Sequence, residues 1–386
     1  TLGLEGPWPV VLWAVLVTLS ILPIVPLLLR FLGIENRFTD ILSWIGYTSL
    51  GFFSLTFGVV LLRDAGLVLW AAGAKLLAWV RAGQSQAPQL AAGFDPGRRQ
   101  FIITAMNLGL VGLTSGLSTY GLFQARRKAT VMGTNIPLRE LPPQLAGLRI
   151  VQISDLHVGP TVKRGHVQRT VDQVKELNPD LIVLTGDLVD GSVSFLSDDV
   201  APLEELEAPL GKFFVTGNHE YYSGVDHWLV EVDRIGFTCL VNEHRTLDVR
   251  GAPLVVAGVT DLHANQVTPA HATDPDAALA GAPAGAFKLL LAHQPGSIYD
   301  ARRLGVHLQL SGHTHGGQYI PFHFAVAAAH PYLAGLHDHD GTWIYVNRGT
   351  GYWGPPLRLG VPSEISVLTL DRAPDEPTRT NERRPS

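Results

Sequence analysis

The chain has 386 residues, enough for more than one domain, each with its own core. Its formal net charge of −5 and positive mean hydropathy of +0.18 point to neither nucleic acid nor a polyanion as partner. A single cysteine, Cys239, excludes an internal disulfide and any cysteine-rich zinc site, so a metal centre here must be built from His, Asp, Glu or Asn.

Apolar residues crowd into the first third, whereas all fifteen histidines lie after residue 150. Residues 7–32, 41–62 and 101–123 form apolar runs long enough to cross a bilayer core of about 30 Å. The second run carries Gly46, Gly51 and Gly58, small residues that allow close helix packing. Residues 66–80 are a shorter candidate interrupted by Lys75, which also fits an amphipathic interfacial helix. Residues 1–127 are therefore expected to form a membrane anchor of three to four transmembrane helices.

The loops around Arg30/Arg37 and from Arg81 to Arg99 are both basic and prefer the cytoplasm. If four segments cross, the chain leaves the last of them on the far side, although Arg126-Arg127-Lys128 opposes this. Gly97-Arg98-Arg99-Gln100-Phe101-Ile102 has the pattern of a twin-arginine export signal, the alternative being an ordinary basic helix flank. The expectation is a multi-pass cell-membrane protein with an extracytoplasmic catalytic domain. Residues 128–147, with Pro137, Pro142 and Pro143, read as a linker. A catalytic domain is expected over 148–371, and the Pro- and charge-rich residues 372–386 as a disordered tail.

Beyond the linker, β-branched runs repeatedly end in polar residues. Residues 148–154 form a buried strand that ends in Asp155-Leu156-His157; a helical spacing follows at Val167, Val171 and Val174. Leu181-Ile182-Val183-Leu184-Thr185 ends in Gly186-Asp187, with Asp190 read as a turn or supporting residue. Strand, helix, strand implies a parallel pair with a right-handed crossover, which sets Asp155 and Asp187 side by side. In open α/β sheets ligand-binding groups gather beyond the carboxyl ends of strands. Lys212 to Thr216 ends in Gly217-Asn218-His219-Glu220, and residues 287–292 end in His293. Finally Ser311-Gly312-His313-Thr314-His315-Gly316-Gly317-Gln318 follows a fifth strand; its glycines permit the bend that turns two imidazoles toward a metal.

This ordered set, Asp155-x-His157, Gly186-Asp187, Gly217-Asn218-His219-Glu220, His293 and Gly312-His313-Thr314-His315, resembles the calcineurin-like metallophosphoesterase superfamily. Residues 217–222, 311–318 and 353–358 resemble its membrane-anchored bacterial branch. The resemblance implies an α/β fold, a four-layer αββα sandwich preceded here by transmembrane helices. It implies that Asp155, His157, Asp187 and His315 hold one metal, and that Asp187, Asn218, His293 and His313 hold the second. By the same resemblance His219 is catalytic and acts near the leaving group.

Two divalent cations about 3.5–4 Å apart lower the pKa of a bridging water and draw charge from the phosphoryl oxygens, so a metal-bridging hydroxide can attack the ester. The mixed donor set suits Mn, Fe or Zn better than Ca. The expected function is a membrane-anchored dinuclear metal-dependent phosphoesterase, a phosphodiesterase, with a hydrolase of UDP-linked lipid diphosphates as the alternative. Its partners are a phosphoester substrate, lipid-linked in that alternative, and membrane lipid, with no nucleic acid indicated. A non-catalytic membrane sensor on the same fold ranks lower, because no ligand position is lost.

Overall fold

The computed structural model describes residues 6–82 and 96–373. The chain divides into two compact units. The first comprises residues up to Arg127 together with two inserts from later in the chain, Gln318–Ala325 and Trp353–Gly360; the remaining residues form the second.

The first unit is built on helices α1 (Trp8–Ile21), α2 (Ile24–Phe31), α3 (Arg37–Ala82) and α4 (Pro96–Arg126). Pro23 separates α1 from α2, since proline lacks the N–H that would continue the helix. Among the described residues three stretches can cross a membrane by length and composition: Trp8–Arg30, Arg37–Val80 and Gly97–Arg126. Residues 66–80 are not a separate helix: they continue α3 without a break. Gly66 was the apparent boundary, but one glycine inside a helix costs only about 1 kcal/mol, too little to interrupt it. Close approaches occur at the glycines: Gly46 faces the backbone of Pro23, Gly51 faces Pro355, and Gly58 faces Pro321.

The second unit holds two six-stranded sheets. Its elements run β1 (Thr130–Leu138), β2 (Arg149–Ile153), α5 (Arg164–Glu176), β3 (Leu181–Thr185), α6 (Val193–Val200), β4 (Lys212–Val215), α7 (Asn218–Ser223), α8 (Val225–Arg234), β5 (Thr238–Cys239), β6 (Glu243–Val249) and β7 (Ala252–Gly258). They continue through α9 (Pro275–Leu279), β8 (Phe287–Leu291), α10 (Ile298–Arg303), β9 (Leu308–Ser311), α11 (Phe322–Ala329, which begins in the first insert), β10 (Gly335–His339), β11 (Thr342–Val346) and β12 (Glu364–Arg372). The strand orders are β1-β12-β2-β3-β4-β5 and β10-β11-β9-β8-β7-β6.

Period-two alternation places Ile150, Val183, Phe213 and Val215 of one sheet in a common core with Leu254, Val256, Leu289, Leu308 and Leu310 of the other. On the outer face of the second sheet, Ala278 of α9 and Ile298 and Ala301 of α10 pack with Val255, Ala257, Leu290 and Val346. Helix α5 is the crossover between the parallel strands β2 and β3 and buries Val167, Val171 and Val174. This is the expected four-layer αββα architecture.

Three boundaries differ from the expectation. Residues 128–147 are not simply a linker, because β1 pairs in parallel with β12 over nine residues. Only Ile136 and Leu138 of β1 are fully buried, which hides the strand periodicity, and Pro137 is tolerated because β1 is an edge strand. The two inserts, both inside 148–371, belong to the helical unit. Strand β12 continues through Arg372, into the expected tail; residues 374–386 of that tail lie outside the described residues.

Candidate metal centre

Five strand ends converge. The residues that leave β2, β3, β4, β8 and β9 carry Asp155 and His157, Asp187, Asn218 and His219, His293, and His313 and His315 respectively. Asp155, His157, Asp187, His313 and His315 have φ values of 54°, 49°, 51°, 70° and 51°. Left-handed backbone at a non-glycine residue costs about 1–3 kcal/mol and persists where the surroundings over-determine it. Here they do: Asp155 N–H donates to Gly186 O at 3.0 Å, and His157 N–H to Asp187 O at 3.1 Å. His313 N–H donates to the Asp155 carboxylate at 2.9 Å. Gly312 must be glycine, since a Cβ there would fall on Ser154 Oγ and Asp155 Oδ2.

Two donor clusters share one carboxylate. His157 Nε2 lies 3.0 Å from His315 Nε2, and His315 Nε2 lies 3.5 Å from Asp155 Oδ1. On the other side His313 Nδ1 lies 3.0 Å from His293 Nε2. Between them stands Asp187 Oδ2, 3.1 Å from His293 Nε2 and 3.7 Å from His157 Nε2. The second ring nitrogens are occupied: His293 Nδ1 bonds Thr185 O at 2.7 Å, and His157 Nδ1 faces Asp190 Oδ1 at 3.3 Å. Donation through Nδ1 turns Nε2 of both rings inward, toward Asp187.

The charges follow from this crowding. Burial opposes ionisation of Asp187, but His293, His219 and His157 hold it well below the usual carboxylate range. Burial raises Asp155, only partly offset by His293. Burial likewise opposes a proton on His293, yet Asp187 and Asp155 hold it well above the ordinary histidine value. His313, desolvated and beside His293, is lowered to about 3. For His219 burial is outweighed by Asp187 and Asp190, which raise it to about 9.

The residues fit a pair of cations. Lone pairs of His157 and His293 point at a carboxylate oxygen, an arrangement that needs either a proton or a metal between them. Asn218 Oδ1 is buried and accepts no hydrogen bond, although buried amide oxygens are normally satisfied. Three groups of possible ligands lie within reach of one another: Asp155, His157 and His315; Asp187, His293 and His313; and His157, Asp187 and His219. Six of the seven residues read as ligands, Asp155, His157, Asp187, His293, His313 and His315, fall in these groups, and Asn218 stands just after the end of β4, beside them in the chain order. His219 also lies near Asp187, but its Nδ1 is held by Asp190 Oδ1 at 2.5 Å.

Two supporting residues carried little or no signal in the sequence. The carboxylate of Asp190 faces both His157 and His219, and these two histidines hold it well below the usual range despite burial. Glu220, fully buried, accepts the backbone N–H of Gly217 at 2.6 Å, Leu188 at 2.8 Å and Asp187 at 3.0 Å, tying the ends of β3 and β4 together. The sequence offered only its place beside His219. Arg348, a candidate phosphate contact by residue type, donates to buried Glu364 at 2.6 Å. His330, embedded in an apolar segment, stacks edge-on against His313 with centroids 5.0 Å apart.

Residues 148–317 match the family model of the calcineurin-like phosphoesterases. A transmembrane protein with metallophosphoesterase domain from Danio rerio is 40% identical over 273 residues, covering 68% of this chain and 62% of that protein. A Bos taurus protein of the same description is 39% identical over 311 residues, 78% of this chain and 68% of its own length. An uncharacterized metallophosphoesterase of Helicobacter pylori is 35% identical over 279 residues, 72% of this chain and 73% of that one. The chain belongs to the calcineurin-like phosphoesterase family. Its relatives are vertebrate as well as bacterial, and it spans less than two thirds of the Danio rerio protein.

Proposed function

We propose that the chain is a membrane-anchored, dinuclear metal-dependent phosphoesterase that acts on phosphodiesters. The observation that carries this reading is the convergence of His157 Nε2 and His293 Nε2 on Asp187 Oδ2, together with the unsatisfied buried Asn218 Oδ1. Asp155, His157, Asp187 and His315 hold one divalent cation, and Asp187, Asn218, His293 and His313 the other. Bound there, Mn, Fe or Zn would supply Lewis acidity and an activated water. The chain's own contributions are orientation and a proton. Thr185 O and Asp190 fix two imidazoles in the tautomer that coordinates. His219, held by Asp190, is the group that protonates the departing oxygen.

With added Mn²⁺ the full chain should hydrolyse an aryl phosphodiester, carry two metal ions per chain, and lose activity in Asn218→Ala and His313→Ala. Full activity in both variants or in excess chelator rules the assignment out. A screen of diesters, monoesters and nucleotide-linked lipid diphosphates separates the diesterase from its alternative.

The extracytoplasmic placement of the domain is a separate proposal, and it rests on four crossings and on the export-signal pattern at Gly97-Arg98-Arg99. Three crossings would put Arg30, Arg37 and Arg126-Arg127-Lys128 on the domain's side, against Arg81, Arg98 and Arg99 on the other. That balance favours a cytoplasmic domain. Protease accessibility in sealed vesicles of known orientation decides between the two.

A further inference from the structure

The two inserts of the helical unit are joined to each other. Gln318, buried, donates through Nε2 to Trp353 O at 3.0 Å and Pro355 O at 3.1 Å, and its Oε1 accepts from Trp353 N–H at 3.0 Å. Leu359 N–H closes onto Gln318 O at 3.2 Å. Tyr319, Leu357 and Leu55 form a small core with Leu117 and Leu359.

This paired platform docks on α3 well inside its apolar length and on α4 near the C-terminal end of its apolar run. Between Asp40 and Arg63, α3 has 22 residues without a charge, about 33 Å at 1.5 Å per residue and close to one hydrocarbon thickness. Gly51, which meets Pro355, stands at the midpoint of that run, and Gly58, which meets Pro321, lies seven residues on. Tyr319 Oη accepts from Ser54 Oγ at 3.2 Å, and Arg358 N–H donates to Gly121 O of α4 at 3.0 Å. Ile320, Phe322, Phe324 and Trp353 of the platform nevertheless expose large apolar side chains, Phe324 to 66%. A water-facing loop gains nothing from such residues, whereas a bilayer solvates them.

We propose that the platform 318–325/353–360 is embedded in the bilayer and that phospholipid acyl chains are the partner of its exposed face. At such a depth backbone polar groups must be paired within the protein, and the carbonyls of Gln318, Trp353 and Pro355 and the N–H groups of Trp353, Arg358 and Leu359 are so paired. The polypeptide enters the platform at Gln318, three residues after His315.

The test uses the full chain in a Cys239→Ser background, with single cysteines at Phe324 or Trp353 carrying an environment-sensitive fluorophore. Phe57 on α3, 63% exposed, serves as the lipid reference, and Val230 on α8, 73% exposed, as the water reference. In vesicles of brominated phosphatidylcholine the probes at 324 and 353 should lose fluorescence as the probe at 57 does, and resist aqueous iodide. Probes there that behave like the one at 230 overturn the proposal. So does shielding from both quenchers, which means a second protein covers the face. Absence of lipid quenching at 57 overturns it together with the membrane span. Photolabelling of the unsubstituted chain from within the bilayer, followed by peptide mapping, should mark residues 318–325 and 353–360. Their lack of label overturns it without any substitution, and neither readout depends on phosphoesterase activity.

Discussion

At the scale of single residues the centre is organised by carboxylates that have different tasks. Asp187 sits between the clusters, Asp155 is bonded to the turn that bears His313, and Asp190 lies outside both, facing His157 and His219. The proposed ligand residues were legible because each follows a run of β-branched or apolar residues, so chain order alone aligns them. Asp190 was legible only as a turn or supporting residue, since a carboxylate three residues beyond Asp187 fits either; only the fold shows two imidazoles meeting it. In the metal-free protein its charge stabilises the folded state through His219, raised from 6.5 to about 9 against its burial by Asp187 and Asp190. A group raised on folding contributes stability that is complete below its unfolded value and lost as pH rises through its folded value. The thermal-stability gap between wild type and Asp190→Asn should therefore be full below about pH 6.5 and narrow as pH passes about 9. A gap that stays constant from pH 6 to 10 would refute the coupling.

At the scale of elements, the site depends on how strands stop. Glycine at 312 lets β9 run directly against Ser154 and Asp155, and the bends at 313 and 315 then aim both rings inward. Gly312→Ala should push Asp155 aside, because the new methyl coincides with its carboxylate. Elemental analysis should find bound metal falling from two ions toward one per chain, with activity down by at least about 100-fold, the upper range for displaced orienting contacts. Far-UV circular dichroism should be unchanged, since the sheets are paired elsewhere. A fully loaded, active Gly312→Ala protein would show that the close approach is not required. Sequence periodicity served the buried strands well and failed for β1 and for the length of α3. Along β1 only two residues are fully buried, and a strand made by pairing with β12 over a solvent-facing edge leaves no alternation to read. In α3 the apolar runs 41–62 and 66–80 are one helix, and Arg63 between them is satisfied by Asp64 and by Asn107 of α4 at 3.1 Å. The inserts were also hidden, because contact between residues some 265 positions apart, as for Ser54 and Tyr319, has no local signature.

At the scale of the molecule, two units with different chemistry should respond separately to metal. Every proposed ligand lies in the phosphoesterase unit, at strand ends held between two sheets, while the helical unit contains none of them. A cation bound only by the folded state stabilises it by mass action, about 2.7 kcal/mol per site when its concentration is a hundredfold above Kd. Calorimetry of the full chain in detergent should then show Mn²⁺ raising the melting temperature of the phosphoesterase transition. The helical transition, followed by circular dichroism at 222 nm in the same sample, should stay in place. His313→Ala removes a ligand from one cluster only, so it should retain roughly half of the metal-induced shift, and Asp187→Ala, which removes the shared carboxylate, nearly none. Equal shifts in both variants would mean that the two clusters are not joined through Asp187. A shift of the helical transition by the same amount would mean that the units unfold as one body.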